Sequence, residues 1–328
     1  MASAKAWWGW GMTVIVACGG EGPAGEATST TTSAAGVGGG GALAGQGGTS
    51  TVGSTTATAG GEGGTGGAGP REFSTDRADF FGAPRCEALG ALFCDDFEDD
   101  PLGGPPVDPG WAVEAIAGGA VAITDADAGR GLRSLRITGD LDFSRAWVRQ
   151  EGLFPRDQIF GRVLYRVETP GPDDFVHWDL VEAIGRDTEG EPLKRMRFGG
   201  VSLRNDQGTE FIFNRYFFNF EMSPRPPGFD EFTQPEVDGS ATLAWGDWHC
   251  TEFYYDATSD EAVMWYDGQE RVRFTGTVTA GQHQGRMADL PSFDGINLGW
   301  TTYQNIDRSF TVYIDEVALD DARIGCGN

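Results

Sequence analysis

The composition of the chain changes abruptly near residue 70, and this change limits what the chain can fold into. From Cys18 to about Pro70 the sequence is almost entirely Gly, Ala, Ser and Thr. Such a segment cannot bury enough apolar surface to offset the entropy lost on ordering. The residues that follow are rich in aromatic and β-branched side chains, in an amount that suits one large domain. We therefore divide the chain into an N-terminal signal at 1–18, a disordered linker at 19–73 and one folded domain at 74–328.

The first 18 residues have the pattern of an export signal. Lys5 precedes an apolar run from Ala6 to Ala17, which is too short to span a bilayer. The run leads into Cys18 through Ile15-Val16-Ala17, a pattern that resembles a bacterial lipobox, in which the cysteine carries a lipid. Gly19 follows in place of an acidic retention signal. We expect an exported protein that is lipid-anchored through Cys18 at the outer membrane or cell surface; an ordinary signal peptide is the alternative.

The charge of the chain restricts its partners. The formal net charge is -25, and residues 1–73 contribute only -2 of it, so the domain carries about -23. A surface this acidic repels nucleic acid and anionic lipid headgroups. We expect a monomer with no nucleic-acid partner, which contacts the bilayer through Cys18 alone. The acidic residues either supply carboxylates for Ca²⁺ or simply keep the protein soluble.

The cysteine count also favours export. With Cys18 assigned to the lipid, four cysteines are left: Cys86, Cys94, Cys250 and Cys326. An even number in an exported chain predicts two disulfides. Cys86 with Cys94 would close a small loop at the start of the domain, and Cys250 with Cys326 would join an interior strand to the C-terminal segment. The chain has no C-x-x-C pair, so we expect no structural zinc site.

Short apolar runs alternate with turn signals from Trp111 onward, which is typical of an antiparallel β-sandwich. Asp267-Gly268 predicts a tight hairpin. The proline-rich segment from Glu221 to Val237 predicts a long irregular loop. The candidate strands are Trp111–Ile116, Leu132–Thr138, Arg145–Glu151, Phe160–Glu168, Phe175–Ile184, Arg195–Arg204, Thr209–Asn214, Trp248–Asp256, Ala262–Tyr266, Arg271–Thr275, Gly295–Thr301 and Ser309–Leu319.

Alternation along these strands predicts which polar residues lie together, because residues two apart share a face. His177 and Asp179 share one face of their strand, and the other face carries an apolar set of Val176, Trp178, Leu180 and Ile184. The same rule places Glu182 opposite Asp179, which argues against the close carboxylate pair of a retaining glycosidase.

Two arginines on the next strand form a local positive feature. Arg195 and Arg197 share a face by the same rule. They either present a positive spot to a ligand or pair with neighbouring carboxylates such as Asp179.

Four segments, in this order and spacing, resemble one family. They are Cys94-Asp95-Asp96-Phe97-Glu98, Lys194 to Gly200, Trp248 to Phe253 with Trp265 to Gly268, and Tyr313 to Gly327. Together they resemble the Cip-type proteins, cellulose-induced secreted proteins whose core domain is similar in fold to glucuronan lyases. The resemblance covers about Phe93 to Gly327. It implies an all-β fold, a concanavalin-like β-jelly-roll of two curved antiparallel sheets with a groove across the concave face.

The resemblance also implies a structural calcium ion away from the groove. Its ligands map to Glu98, to Ser134 in the strand that begins near Gly131, and to Asp315 in the last strand. Calcium takes six to eight oxygen ligands, and joining the first strand to the last would close the sandwich. The family's long-range disulfide maps to Cys250 and Cys326.

The lyase-like members of the family imply a set of catalytic residues. A uronate is cleaved by β-elimination when its carboxylate is neutralised, a base removes the C5 proton, and an acid protonates the leaving oxygen. Arg197 matches the groove arginine, with Arg195 as a second neutraliser. His177 is a candidate base, and Tyr303 is a candidate base or acid.

The chain departs from the lyase pattern at two positions. Val201 stands where the lyase-like members have a glutamine after the glycine pair, and Arg195 stands where they have a histidine. Loss of the glutamine removes a hydrogen-bond donor that could help to neutralise a carboxylate.

Three functional hypotheses follow. The first is a polysaccharide lyase that cleaves a glucuronic-acid-containing polymer. The second is a non-catalytic carbohydrate-binding module that uses aromatic platforms such as Trp178, Trp245 or Tyr216, although alternation assigns Trp178 to the core. The third is a structural surface protein with no ligand beyond calcium.

Overall fold

The computed structural model describes most of the predicted domain. The described residues are 73–107, 110–139, 144–168, 176–204, 211–229, 231–236, 246–303 and 309–328, and the side chains of 203, 204 and 211–214 are excluded. The predicted signal segment, the lipidation site Cys18 and the linker up to residue 72 lie outside them. No helix in the described ranges is long and apolar enough to cross a membrane.

Strands make up nearly all the regular structure of the described residues. The two helical segments are a 3-10 turn at Arg77–Asp79 and α1 at Cys86–Leu89. The strands are β1 (Phe93–Asp95), β2 (Trp111–Ile116), β3 (Ala120–Thr124), β4 (Ser134–Gly139), β5 (Arg145–Gln150), β6 (Gln158–Val167), β7 (Val176–Gly185), β8 (Leu193–Arg204), β9 (Phe211–Ser223), β10 (Phe232–Pro235), β11 (His249–Asp256), β12 (Glu261–Tyr266), β13 (Gln269–Thr275), β14 (Phe293–Thr302) and β15 (Phe310–Asp320).

The strands form two antiparallel sheets. The eight-stranded sheet has the order β13-β12-β11-β6-β15-β4-β3, with β1 paired to β15. The seven-stranded sheet has the order β10-β9-β8-β7-β14-β5-β2. The predicted β-jelly-roll of two antiparallel sheets is confirmed.

Aromatic and aliphatic side chains from the inner faces of the two sheets form the core. Trp178 of β7 stacks on Trp300 of β14 with ring centroids 4.8 Å apart, and both are at most 1% exposed. Burial of such large side chains is the main source of stability in a sandwich of this kind. Trp178 is therefore a core residue, as alternation predicted.

The sequence prediction was correct at one turn and wrong in part at another segment. Asp267 and Gly268 connect β12 to β13 with φ of 47° and 76°, the positive values that a two-residue hairpin turn requires. The predicted irregular loop from Glu221 to Val237 is wrong in part, because Phe232–Pro235 forms β10 on the edge of the seven-stranded sheet. An edge position accommodates a proline because the missing N–H is not needed there.

A β-bulge in β7 changes which side chains face outward. Between Asp179 and Val181 the register with β8 shifts by one residue. Leu180 and Val181 consequently both belong to the core, and the next outward residue is Glu182. The prediction that Glu182 lies opposite Asp179 is therefore wrong, since a bulge inserts one residue and reverses the alternation.

The terminal segments cover the outer face of the eight-stranded sheet. Cys250 and Cys326 are joined by a disulfide and pack with Phe80 and Leu164. The predicted Cys86 to Cys94 disulfide also forms. These contacts cover part of that face.

A fully buried ionic cluster holds these terminal segments. The register of β15 shifts between Asp315 and Ala318, and Glu316 adopts a φ of 49° there. Its Oε2 accepts hydrogen bonds from Arg130 at 2.8 Å and Arg162 at 2.7 Å, and the three side chains are 0% exposed. Arg130 also donates to the backbone oxygens of Phe80 at 2.7 Å and Cys326 at 2.8 Å. The cluster thus joins the start of the domain, the last strand and the C-terminal segment.

We predict that Glu316→Gln lowers the free energy of unfolding by about 3 to 5 kcal/mol, because it leaves two buried guanidinium groups without their counter-charge. Urea unfolding of the full chain measures this loss. The matched control is Glu270→Gln, whose carboxylate is 42% exposed and pairs with Arg273 on the surface; its loss should be at most about 1 kcal/mol. Equal losses in the two variants would contradict the role of the cluster.

Candidate functional site

A row of polar side chains crosses the outer face of the seven-stranded sheet. Arg149, Asn297, Glu182, Arg197 and Asn219 are register neighbours on five adjacent strands. Arg149 Nε donates to Asn297 Oδ1 at 2.6 Å, Asn297 Nδ2 donates to Glu182 Oε1 at 2.5 Å, and Arg197 Nε donates to Glu182 Oε2 at 2.7 Å. We call these five residues the polar row. Directly opposed side chains on neighbouring strands share a face, so the row runs continuously across one face of the sheet. Arg149 is its most exposed member, and the other four are at most 6% exposed.

Glu182 is the anionic centre of the row. Arg195 also donates to its two oxygens, at 3.0 and 3.1 Å. Burial alone would raise the pKa of Glu182, but Arg197 and Arg195 lower it to about 2. The carboxylate is therefore ionised at neutral pH and fixes both predicted arginines.

Arg197 is surrounded by acids and is largely closed to solvent. Besides Glu182, its Nη1 contacts Glu221 and its Nε lies 3.5 Å from Asp179. Its side chain is 7% exposed, whereas that of Arg195 is 17% exposed. Of the two readings of the arginine pair, pairing with carboxylates such as Asp179 is the one observed.

Tyr303 and Asp179 form the second polar contact of this face. Tyr303 donates its hydroxyl to Asp179 Oδ2, and the ring of Tyr303 lies 5.5 Å from the guanidinium of Arg197. Gly199 makes room for this arrangement, because a Cβ there would lie 2.1 Å from the Trp178 carbonyl and 2.4 Å from Asp179 Oδ1. This contact gives a physical reason for a glycine in the FGG sequence of β8.

The protonation states of this pair are unusual. Burial raises the pKa of Asp179 to about 7, against the opposing effects of Arg197 and Tyr303. Burial and the Asp179 carboxylate raise the pKa of Tyr303 well above its usual value. Tyr303 therefore keeps its proton at neutral pH and is a weak proton donor.

His177 lies beside Tyr303. Its ring centroid is 4.8 Å from that of Tyr303 and 4.9 Å from that of Phe217. Burial and the positive charge of Arg197 lower the pKa of His177 to about 3, so the imidazole is neutral. Val201 is the direct register neighbour of His177, so a valine occupies the position of the missing glutamine beside the candidate base.

The four catalytic residues predicted from the sequence are thus brought together. Arg195 and Arg197 share Glu182, while Tyr303 contacts His177 and Arg197. We call His177, Asp179, Arg197 and Tyr303 the Tyr303 cluster.

Sequence reasoning missed several further members of this face: Asn297, Glu221, Arg145 and Arg149. Each lies on a different strand from its partners or outside the matched segments, so no local pattern identified it. Glu182 was considered but assigned to the wrong face. The β-bulge places Glu182 on the outer face, and the hydrophobic residues of β7 do not reveal this bulge in the sequence.

Comparison with solved structures identifies the fold. The fold is similar to that of Cip1. The cellulose-induced protein Cip1 is 19% identical, and the match covers 71% of this chain and 99% of that chain with a TM-score of 0.52. An endo-β-1,4-glucuronan lyase from Trichoderma reesei is 14% identical over 71% of this chain and 96% of that one, with a TM-score of 0.48. The catalytic domain of an endo-1,3-β-glucanase from Thermotoga petrophila is 14% identical over 71% and 98%, with a TM-score of 0.43.

The likeness to Cip1 confirms the fold that the four sequence segments implied, and the named neighbours are carbohydrate-active or cellulose-induced proteins. No protein-family model and no curated protein matches the chain.

The residues expected to bind calcium make other contacts. Glu98 Oε1 accepts the backbone N–H groups of Leu132 at 2.6 Å and Arg133 at 2.9 Å, and Ser134 Oγ donates to the Asp127 carbonyl at 2.5 Å. Two backbone N–H groups therefore already bind Oε1 of Glu98.

Asp315 is engaged in the same way. Its Oδ2 accepts from the backbone N–H groups of Gly129 at 2.9 Å and Arg130 at 2.8 Å, and its Oδ1 accepts from Glu316 at 2.7 Å. Burial raises the pKa of Asp315 well above its usual value. As arranged, these side chains do not fit an ion that requires six to eight oxygen ligands, and no step below uses one.

One group of metal-binding residue types does converge among the described residues. Cys86, Cys94 and Glu316 place one ligand atom each within 4.8 Å of one another. The two cysteines are joined in a disulfide and so offer no thiolate. This group therefore does not support a metal centre in the oxidised protein.

Two of the three aromatic platforms considered for sugar stacking are buried. Trp178 is 0% and Tyr216 is 1% exposed, and Trp245 lies outside the described residues.

We predict that Asp179 makes stability fall as pH rises from about 4 to about 7. The folded protein keeps this proton to about pH 7, whereas the unfolded chain releases it near 3.8, so ionisation favours unfolding in this range. The free energy of unfolding, taken relative to Asp179→Asn, should fall by about 1 to 3 kcal/mol between about pH 4.5 and 7.5.

The matched control for that experiment is Asp256→Asn. Asp256 accepts the hydroxyl of Tyr254 at 2.8 Å, as Asp179 accepts that of Tyr303, but hydrogen bonds lower its pKa despite burial. Its pH effect therefore lies below the tested range. A flat difference for Asp179→Asn would contradict a buried, protonated Asp179.

We also predict that excess EDTA changes the melting temperature by less than about 1 °C and that added Ca²⁺ leaves it unchanged, because a ligand stabilises only the state that binds it. Differential scanning fluorimetry of the full chain measures both. A calcium-dependent rise of several degrees in the melting temperature, abolished by Asp315→Asn, would contradict this prediction and support a calcium site at Asp315.

Proposed function

We propose that the protein is carbohydrate-active and that its ligand lies across the outer face of the seven-stranded sheet. The observation that carries this proposal is the continuous polar row, which crosses five strands beside the Tyr303 cluster. Neighbouring strands are about 4.8 Å apart, so seven strands offer a surface about 29 Å wide, which suits an extended chain of sugars.

The reaction that best fits the residues is β-elimination on a uronate polymer. His177 is neutral and can accept the C5 proton, and Tyr303 is protonated and can donate to the leaving oxygen. The C5–H and C4–O bonds break, a C4=C5 double bond forms, and the proton of Tyr303 leaves with the released sugar.

Neutralisation of the uronate carboxylate is especially important in this reaction. His177 is a weak base, because its pKa is about 3. Neutralisation makes the C5 proton more acidic and so compensates for a weak base. Arg195 is the more accessible of the two predicted neutralisers, while Arg197 is held by its acids and positions Glu182 and Asp179.

A non-catalytic binding module is the second candidate function. It is favoured by Val201, which stands beside His177 in place of an amide, and by the complete ion pairing of Arg197. In this case the polar row would bind a polysaccharide without cleaving it.

The location of the protein is part of the proposal. Export and a lipid anchor at Cys18 would place the domain at the outer membrane or cell surface, where polysaccharides are accessible. Radiolabelled palmitate incorporation that is lost in Cys18→Ser would support the anchor, and incorporation unchanged by the substitution would contradict it.

The lyase proposal predicts a rise in ultraviolet absorbance from unsaturated uronate product when the full chain is incubated with glucuronan or alginate. Tyr303→Phe should lower the rate about 100-fold to 10,000-fold, because it removes the proton donor. The matched control is Tyr254→Phe, whose hydroxyl binds Asp256 on the other sheet and whose loss should leave the rate unchanged.

Two further outcomes separate the candidate functions. Retention of a polysaccharide without any absorbance change, together with a gain of activity in Val201→Gln, would favour the binding module. Neither cleavage nor retention of any polysaccharide would overturn a carbohydrate role.

A further inference from the structure

The arginines of the outer face differ in how fully their charge is compensated. Arg197 lies within 3.5 Å of Asp179 and 2.7 Å of Glu182, and also contacts Glu221. Arg149 has only loose acidic partners, Glu114 at 3.7 Å and Glu151 at 3.4 Å. Its side chain is 27% exposed. Among these two arginines, Arg149 is the one with a guanidinium available to an anion.

Arg149 is nevertheless held in a defined position. Its Nε donates to Asn297 Oδ1 at 2.6 Å, and Asn297, which is 2% exposed, in turn donates to Glu182. The guanidinium is thus oriented through Nε, and its two terminal nitrogens have only the loose contacts described above. Preorganisation of this kind lowers the entropy cost of binding a carboxylate.

A surface cavity lies at this arginine. It has a volume of about 260 Å³ and is lined by Ala112, Val113, Glu114, Trp147, Arg149 and Asn297. The carboxylate of Glu114 is contacted by Arg145, whose own side chain is 25% exposed, so its charge is opposed by a second guanidinium. The cavity therefore combines one oriented cation, one compensated acid and a buried amide.

We propose that this cavity is a subsite for the carboxylate of an acidic sugar, bound by Arg149 and oriented by Asn297. The inference deepens the proposed function and rests on it. Arginine suits the role because its planar guanidinium matches a carboxylate with two parallel hydrogen bonds.

The subsite lies on the same polar row as Glu182 and Arg197. Arg149 and Glu182 lie on β5 and β7, separated by β14 alone, so they are about 10 Å apart across the sheet. Arg197, a member of the Tyr303 cluster, lies one strand beyond Glu182, so a uronate polymer that runs from Arg149 along the polar row would reach the cluster at Arg197. The carboxylate recognised at Arg149 belongs to a different sugar from the one at the reaction centre.

The test compares the full chain and its Arg149→Gln variant in calorimetric titrations with a glucuronic acid oligosaccharide and a neutral glucose oligosaccharide of equal length. Arg149→Gln should weaken the acidic ligand about 10-fold, the effect of one charge-assisted contact, and leave the neutral ligand unchanged. Arg149→Lys should recover part of the loss. The matched control is Arg273→Gln, an exposed arginine of the other sheet, which should change neither affinity.

Each other outcome overturns a stated part of the account. Equal weakening of both ligands, or none in Arg149→Gln, would overturn the carboxylate subsite while the carbohydrate role stands. Binding of neither oligosaccharide by the wild-type chain would overturn the proposed function itself. Circular dichroism of the variants confirms that they are folded before binding is compared.

Discussion

The β-bulge of β7 is the constraint on which the candidate site depends. Without the extra residue between Asp179 and Val181, Glu182 would point into the core, where an ionised carboxylate has no partner. With it, Glu182 joins Asp179 on the outer face and receives Arg195, Arg197 and Asn297. The bulge therefore creates the anionic centre around which the polar row is organised. Bulges are frequent beside functional sites because they re-aim side chains in this way.

A second bulge holds the terminal segments on the eight-stranded sheet. At Glu316 in β15 it turns a carboxylate onto Arg130 and Arg162, which fix the N-terminal and C-terminal segments over the eight-stranded sheet. The polar face of the seven-stranded sheet carries the partly exposed arginines and the cavity.

Much of the fold could be predicted, because strand alternation and cysteine spacing are local signals. They assigned Trp178 to the core and Arg195 with Arg197 to one face, and they gave both disulfides. The resemblance added His177 and Tyr303 to the same site. The face of Glu182 and the roles of Asn297 and Arg149 could not be predicted, because they depend on a register shift and on pairing between distant strands. The contacts of Glu98 and Asp315 with backbone N–H groups are likewise invisible in sequence.

The central claim is that a carbohydrate binds across the outer face of the seven-stranded sheet. A crystal structure of the full chain with a glucuronic acid oligosaccharide tests it most directly. We expect the sugars to cross β5, β14, β7 and β8, with one carboxylate on Arg149 and another sugar beside Tyr303. An oligosaccharide bound to the eight-stranded sheet, or to neither sheet, would contradict the account.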